Sequence, residues 1–518
     1  MVLANSTRAQ NHSPVAGQSH FGSGLDLLAR RGVGNKPASH SGTNVSSDGT
    51  QQLRRQRRTR TEAPMSQSDP RSTLPDAQRP RPVDRAGLHR VIFGASTGTF
   101  VEWYDYGIYG ALAGTIGQVI FTSESSTARW LATFAVFSLA FFARPVGGIL
   151  CGRLGDTIGR KRTLALVIIV MSTATAAMGL VPGTASIGIM APVLFVVLRL
   201  IQGLSAGGEI AGAICFVAEH SPTSRRGRYT SYVNSAAAAG GFSGVLFGTV
   251  LNVLLSSESM QSWGWRVPFL VALPLGLVGL YVRMRLEESP VFADVARTGV
   301  LRKGAVRSLL IDRQVHRKIA LSVGIGTLNS VGFYTLLAYV PLYLTEMLSL
   351  PRSMVIATTA AITAVLLVGI PVMGSISDRF GRRRTFLVGC AGFLVLTYPC
   401  FWLITQKHLA AALLGAALLA LLVAIPQGIT HIALAELFPT QVRWTYYATG
   451  YNISIGVFGG TAPLLMTLLS TTLGTSLGPA IYVIGAAVIT AVAALYMRET
   501  AHEPLNTAAV PSPTEGRP

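Results

Sequence analysis

From residue 89 to residue 497 the chain alternates long apolar stretches with short polar connections, and this alternation leaves few folds open to it. Each stretch runs for about 20 to 29 residues, enough as a helix to cross a hydrocarbon core of about 30 Å. Twelve are counted, at 91–118, 128–150, 163–183, 189–217, 229–255, 266–286, 318–345, 355–376, 385–405, 409–435, 446–472 and 477–497. Lipid offers nothing to a backbone N–H or C=O, so spans of this length must satisfy their own hydrogen bonds as helices. The expected fold class is therefore an all-α integral membrane protein. The composition agrees, with 50% hydrophobic and only 13% charged residues.

A net charge of +20 on 518 residues invites a nucleic-acid reading until the charges are located. Residues 1–90 hold 14 Lys and Arg against 6 Asp and Glu, so +8 of the excess lies in the leading segment. The rest clusters between apolar stretches, at Arg160, Lys161 and Arg162, at Arg225, Arg226 and Arg228, and at Arg382, Arg383 and Arg384. Membrane proteins keep such clusters in the cytoplasm, which places both termini there and the chain in the cell inner (plasma) membrane. Residues 1–88 are rich in Ser, Arg, Pro, Gln and Gly and are expected to be a disordered basic tail. Met65 offers an alternative start, and the run Arg54–Arg60 a contact for anionic lipid. Cys151, Cys215, Cys390 and Cys400 have no metal or redox spacing and read as apolar packing residues.

The sequence also repeats itself. Gly152-Arg-Leu-Gly-Asp156-Thr-Ile-Gly159-Arg160-Lys-Arg162 returns 222 positions later as Gly374-Ser-Ile-Ser-Asp378-Arg-Phe-Gly381-Arg382-Arg-Arg384. A second pair, Ala218-Glu219-His-Ser-Pro222 leading to Arg226 and Ala435-Glu436-Leu-Phe-Pro439 leading to Arg443, repeats at an offset of 217. Two motifs in the same order at nearly one interval imply two six-helix halves, 89–286 and 317–497, with a cytoplasmic linker at 287–316 and a tail at 498–518. In a loop, the glycines permit tight turns, and Asp156 or Asp378 can accept hydrogen bonds from a neighbouring helix terminus. Arg160, Arg382, Arg226 and Arg443 can pair with carboxylates, Glu219 and Glu436 among them, and latch a gate. Positive-inside anchoring alone explains the arginines but not Asp and Gly in matching places twice.

Residues 89–500 resemble the major facilitator superfamily. Thr99-Phe-Val-Glu102-Trp103-Tyr-Asp105-Tyr-Gly-Ile-Tyr-Gly110, Arg144-Pro-Val-Gly-Gly148, Gln202-Gly-Leu-Ser-Ala-Gly-Gly-Glu209 and Trp263-Gly-Trp-Arg266-Val-Pro-Phe together resemble its metabolite:proton symporter family. Within it, Phe216-Val-Ala-Glu219-His-Ser-Pro222, Leu273-Pro-Leu-Gly-Leu-Val-Gly-Leu-Tyr281, Tyr334-Thr-Leu-Leu-Ala-Tyr339-Val-Pro341 and Pro371-Val-Met-Gly374 are most similar to proline/betaine carriers. The resemblance implies uptake of a compatible solute with a proton. Citrate, 2-oxoglutarate or another dicarboxylate is the alternative substrate. Osmotic activation through the coiled coil of osmosensing members is not expected, since residues 501–518 contain proline and no heptads.

The charged residues inside the spans point the same way. Glu102 and Asp105 share a face of the first helix, and ionisable groups at membrane depth usually serve function, so one of them is expected to take the coupled proton. An arginine pairing that merely fixes helices is the plainer role. Arg144 is the expected partner, either of such a carboxylate or of a substrate carboxylate. Arg199 and Glu209 lie ten residues apart on one helix, about 15 Å, so each needs another partner; Glu209 is expected in the polar core. Trp103, Tyr104, Tyr106, Tyr334 and Tyr339 are candidates to cage a quaternary ammonium. His431, four residues from Gln427, reads as a structural hydrogen-bonding group.

No metalloprotease H-E-x-x-H, nucleophile elbow, P-loop or cysteine pair occurs. The sequence therefore points away from an enzyme and from direct ATP drive, with no cofactor expected. Its expected partners are a small-molecule substrate, a proton and membrane lipid, without nucleic acid, and the expected state is a monomer. A transporter-like membrane sensor is the alternative class.

Overall fold

Every apolar stretch that the sequence marks is helical. The computed structural model describes residues 85–121, 126–297, 305–406, 408–475 and 477–505, and among the described residues every regular element is a helix. One six-helix half holds α1 (Arg85–Val119), α2 (Ser126–Thr157), α3 (Arg160–Leu180), α4 (Met190–His220), α5 (Arg226–Leu254) and α6 (Arg266–Met284). The other holds α7 (Arg313–Tyr334), α8 (Arg352–Phe380), α9 (Arg382–Thr405), α10 (Leu409–Leu437), α11 (Arg443–Ser454) and α12 (Gly478–Tyr496). Wider turns carry α7 on through Thr335–Tyr339 and Tyr343–Met347, around Pro341, whose missing N–H interrupts the regular ladder. Ile455–Gly459 continues α11 in the same way into a helix at Ala462–Thr472.

Among the described residues, eleven helices are long and apolar enough to cross a membrane. The twelfth, α1, has 35 residues but carries Glu102 and Asp105 among glycines and aromatics, so length and not hydropathy identifies it. The surface is turned inside out relative to a water-soluble protein. Leu150, Leu166, Val368, Val388 and Leu464 face outward, while Glu102, Asp105, Arg144, Arg199 and Glu209 are fully enclosed.

Some boundaries differ from the sequence reading. The supposed tail 1–88 ends early, because Arg85–Leu88 already form the first turn of α1 and Leu88 is buried; residues 1–84 lie outside the described residues. The repeated motif is not a loop. Gly152–Thr157 completes α2, and Arg160 opens α3 after a single sharp turn at Gly159, with φ of 109°. Gly381 makes the matching turn between α8 and α9 at φ 97°. The linker 287–316 contains helices at Pro290–Arg297 and Ala305–Ile311, and α7 begins inside it. Residues 298–304 and 506–518 lie outside the described residues.

Between the halves, α11 lies against α2 and α4, and α5 lies against α8 and α10. The first seam is built on glycine. Trp444 of α11 sits where side chains at Gly155 of α2 and Gly212 of α4 would be, and its indole N–H donates to Gly208 O at 3.0 Å. Thr445 covers Gly152, and Asn452 covers Gly148. Gly148, Gly152, Gly155 and Gly212 thus let the two halves approach backbone to side chain, while Gly203, Gly207 and Gly208 bring α4 against α2 within the first half.

Candidate transport site and gate

At the end of the bundle where α2 meets α3 and α8 meets α9, the gate end, two clusters of ion pairs tie the halves together. In the first, Asp156 accepts from Arg160 of its own half and from Thr445 of α11, through the backbone N–H at 3.0 Å and the hydroxyl at 2.6 Å. Asp156 thereby satisfies orphan donors at the start of α11. Glu219 accepts from Arg443 at 2.8 Å, Arg160 at 3.3 Å and the Ser289 hydroxyl at 2.5 Å. In the second cluster Asp378 accepts from Arg382 and from the N–H groups of Gly227 and Arg228, all at 2.8 Å. Glu436 accepts from Arg382 at 3.3 Å and from the Thr500 hydroxyl at 2.6 Å, while Arg226 stands 3.8 Å away.

The pairing is crossed. Each sequence motif couples a glutamate to a downstream arginine, Glu219 to Arg226 and Glu436 to Arg443, yet in space Glu219 takes Arg443 and Glu436 takes Arg226. One arginine from each half therefore lies on the carboxylate of the other. The sequence reading missed two further members. Glu288 accepts from the N–H groups of Arg160 and Lys161, and Glu499 from those of Arg382 and Arg383, so each caps the helix after a positive-φ glycine. A side chain at Gly159 or Gly381 would collide with that carboxylate. The tail and the linker thus contribute carboxylates to the two clusters. Glu288-Ser289 and Glu499-Thr500 form a third repeat, offset by 211, which was legible in the sequence.

Deeper in the bundle the charges of α1 are paired with arginines. Glu102 Oε1 accepts from Arg144 at 2.5 Å, and Asp105 accepts from Arg199 at 2.6 Å and from the Thr175 hydroxyl at 3.1 Å. Glu209 belongs elsewhere. It is bound by Arg283 of α6, beside Gly98, and does not line the cavity described next. Among the described residues, each of the six fully buried arginines, Arg144, Arg160, Arg199, Arg283, Arg382 and Arg443, has a carboxylate partner. Arg144 also donates to the Tyr106 hydroxyl and, across the halves, to Asn452 Oδ1, both at 3.2 Å.

Above this layer, away from the gate end, α1, α2, α5, α7 and α8 enclose a cavity of about 400 Å³, within the range of about 300 to 1,000 Å³ usual for small-molecule sites. Trp103, Tyr106, Phe333 and Tyr334 form its aromatic floor, with Trp103 and Phe333 edge to face at 4.6 Å. Trp103 Nε1 and the Tyr334 hydroxyl are buried with no hydrogen-bond partner, as is Glu102 Oε2. Of the other expected cage residues, Tyr104 turns away to donate to Pro268 O at 3.0 Å, and Tyr339 stacks on Tyr343 outside the cavity. Beneath Trp103 and Tyr334 a small polar recess is lined by Asn234, Asn329 and Gln427. There Asn234 donates to Gln427 across the halves and Gln427 donates to Asn329 O. His431 shares a contact of 2.6 Å with the Tyr447 hydroxyl, within the second half.

Residues 91–300 match the family "Sugar (and other) transporter", and residues 323–516 match the family "Major Facilitator Superfamily". A glycine betaine/proline/ectoine/pipecolic acid transporter of Dickeya dadantii is 36% identical over 82% of this chain and 86% of its own length. The chain belongs to the major facilitator superfamily. A proline/betaine transporter of Escherichia coli is 35% identical over 82% of the chain and 86% of its own length. An ectoine/proline transporter of Corynebacterium glutamicum is 33% identical over 85% and 89%. The fold is that of a proton:xylose symporter, with a TM-score of 0.70, 17% identity and coverage of 81% of this chain and 98% of the other. The protein is thus a membrane transporter whose twelve helices form the two six-helix halves of that fold.

Proposed function

We propose that the protein takes up a small zwitterionic carboxylate of the betaine or proline type together with a proton, with its gate end in the cytoplasm. The observation that carries this reading is a cavity with aromatic faces and unpartnered donors but no spare positive charge. Trp103 N–H and Tyr334 O–H suit a carboxylate, and the ring faces suit a quaternary or secondary ammonium. A dicarboxylate would bring uncompensated negative charge into a site whose arginines are already neutralised, which is expensive in a dry interior.

The ion pair supplies the coupling. While Glu102 is ionised it holds Arg144, and a substrate carboxylate finds no counter-charge. A proton on the free Oε2 of Glu102 neutralises the carboxyl and releases Arg144 to the substrate, so the substrate carboxylate replaces the Glu102 carboxylate as the counter-charge of one arginine, and the site gains the single positive charge of the proton. Asp105 has both oxygens engaged and keeps Arg199 over the rings of Tyr106 and Tyr109. Substrate binding on the side away from the gate, rocking of the halves and opening of Asp156, Glu219, Asp378 and Glu436 then deliver both to the cytoplasm.

The test is uptake of labelled glycine betaine, proline, citrate and 2-oxoglutarate into proteoliposomes with and without an inward proton gradient. Gradient-driven accumulation of betaine or proline is expected. Accumulation of only an organic acid would overturn the zwitterion, and uptake of none would favour a sensor.

A further inference from the structure

Asn452 lies on the helix that carries Arg443 and Thr445 of the gate end and touches Arg144, whose partner Tyr106 lines the cavity; the transport reading leaves Asn452 itself without a task. Asn452 projects from α11 of the second half into α2 and α4 of the first. Its Oδ1 accepts from Arg144 Nε at 3.2 Å, and its Nδ2 donates to Gly207 O at 2.6 Å and to Ala448 O at 2.8 Å. A Cβ on Gly148 would lie 2.6 Å from that Nδ2, so the socket exists only because position 148 has no side chain. Asn452 itself is fully buried.

Arg144 therefore holds two things at once, Glu102 on α1 and Asn452 across the seam. We infer that Asn452 is a positioning residue that ties Arg144 to the closed gate end, so that an arginine turning to substrate releases the α11 seam at the same moment. The geometry makes the two events one. The guanidinium Nε that bonds Asn452 and the Nη2 that bonds Glu102 belong to one rigid plane, so rotating the fork toward a carboxylate in the cavity disturbs both. With that bond gone, Asn452 keeps only carbonyl acceptors, and the seam loses its one charge-assisted bond at this depth. This inference rests on the Trp103 cavity being the substrate site.

Spin labels at Arg162 and Arg384, both exposed at the gate end, report its opening as a distance distribution in full-length protein in nanodiscs, with the four native cysteines replaced. Without substrate, Asn452→Ala is expected to raise the gate-open fraction on the order of tenfold, the scale of one hydrogen bond to a charged group. Gly148→Ala should do the same by unseating the amide. The two together should shift the fraction no further than either alone, which independent packing defects would not do. An unchanged distribution in Asn452→Ala, or additive effects of the two alanines, would overturn the inference. A normal Asn452→Ala shift with no betaine response in the parent protein would instead overturn the cavity as the substrate site, so the two failures are distinguishable.

Discussion

The two gate clusters share a sequence motif and differ in how well they close. In the cluster of the first half, Glu219 and Arg443 meet at 2.8 Å with both side chains fully buried, and the next residue, Trp444, fills the space over Gly155 and Gly212. In the cluster of the second half, Glu436 and Arg226 stand 3.8 Å apart and retain slight exposure, and the residue after Arg226 is Gly227. Arg226 also spends a donor on Glu503 O of the returning tail at 2.9 Å. A repeat thus supplies the same charges twice but not the same seam. The difference implies that the α2–α11 side is the tighter of the two and the α5–α8 side the looser, because a dry pair at contact distance is harder to break than a longer pair with slight exposure.

This asymmetry can be broken from the strong side first. Glu219→Gln removes the anion shared by Arg160 and Arg443 and should destabilise the gate-closed state by about 3 to 5 kcal/mol, seen as a large gain in solvent accessibility of a probe placed under the gate. If it matched Glu436→Gln in effect, the ranking of the two clusters would collapse. Trp444→Ala empties the glycine-walled slot and should lower the thermal midpoint, with a loss of about 3 kcal/mol; a Trp at Gly227 should not compensate, since Gly374 and Asp378 crowd that backbone. Glu436→Gln should produce a smaller shift of about 1 kcal/mol in the closed fraction, read by the same probe. Smallest is Glu499→Gln, which weakens only the cap on α9, about 0.5 kcal/mol; hydrogen exchange at Arg382 and Arg383 N–H should quicken while transport stays near normal.

The fold was largely legible in the sequence because lipid turns hydropathy into helix count and a repeat of 222 residues turns one half into two. Helix α1, which lacks a stretch apolar enough to mark a span by itself, carries Glu102 and Asp105, so hydropathy marks it poorly and the Glu102 to Asp105 spacing marks it well. Apart from Arg144 on Glu102, the partners of these charges were not legible. Nothing in the distance along the chain joins Arg199 to Asp105, Glu209 to Arg283 or Arg443 to Glu219, since each pair is set by how helices cross. Tyr104 and Tyr339 share the motif of Trp103 and Tyr334 but leave the cavity through helix rotation and the wider turn before Pro341. The Trp444 slot and the Asn452 socket depend on glycines of the other half, which a one-dimensional reading takes for family signature without a contact.

The most direct test of the account is the proton itself. Glycine betaine added to substrate-free, lightly buffered proteoliposomes should make the external medium more alkaline by one proton for each betaine that enters, and Glu102→Gln should abolish that signal while still exchanging labelled for unlabelled betaine. Betaine entry without proton movement, or an undiminished proton signal in Glu102→Gln, would contradict the account.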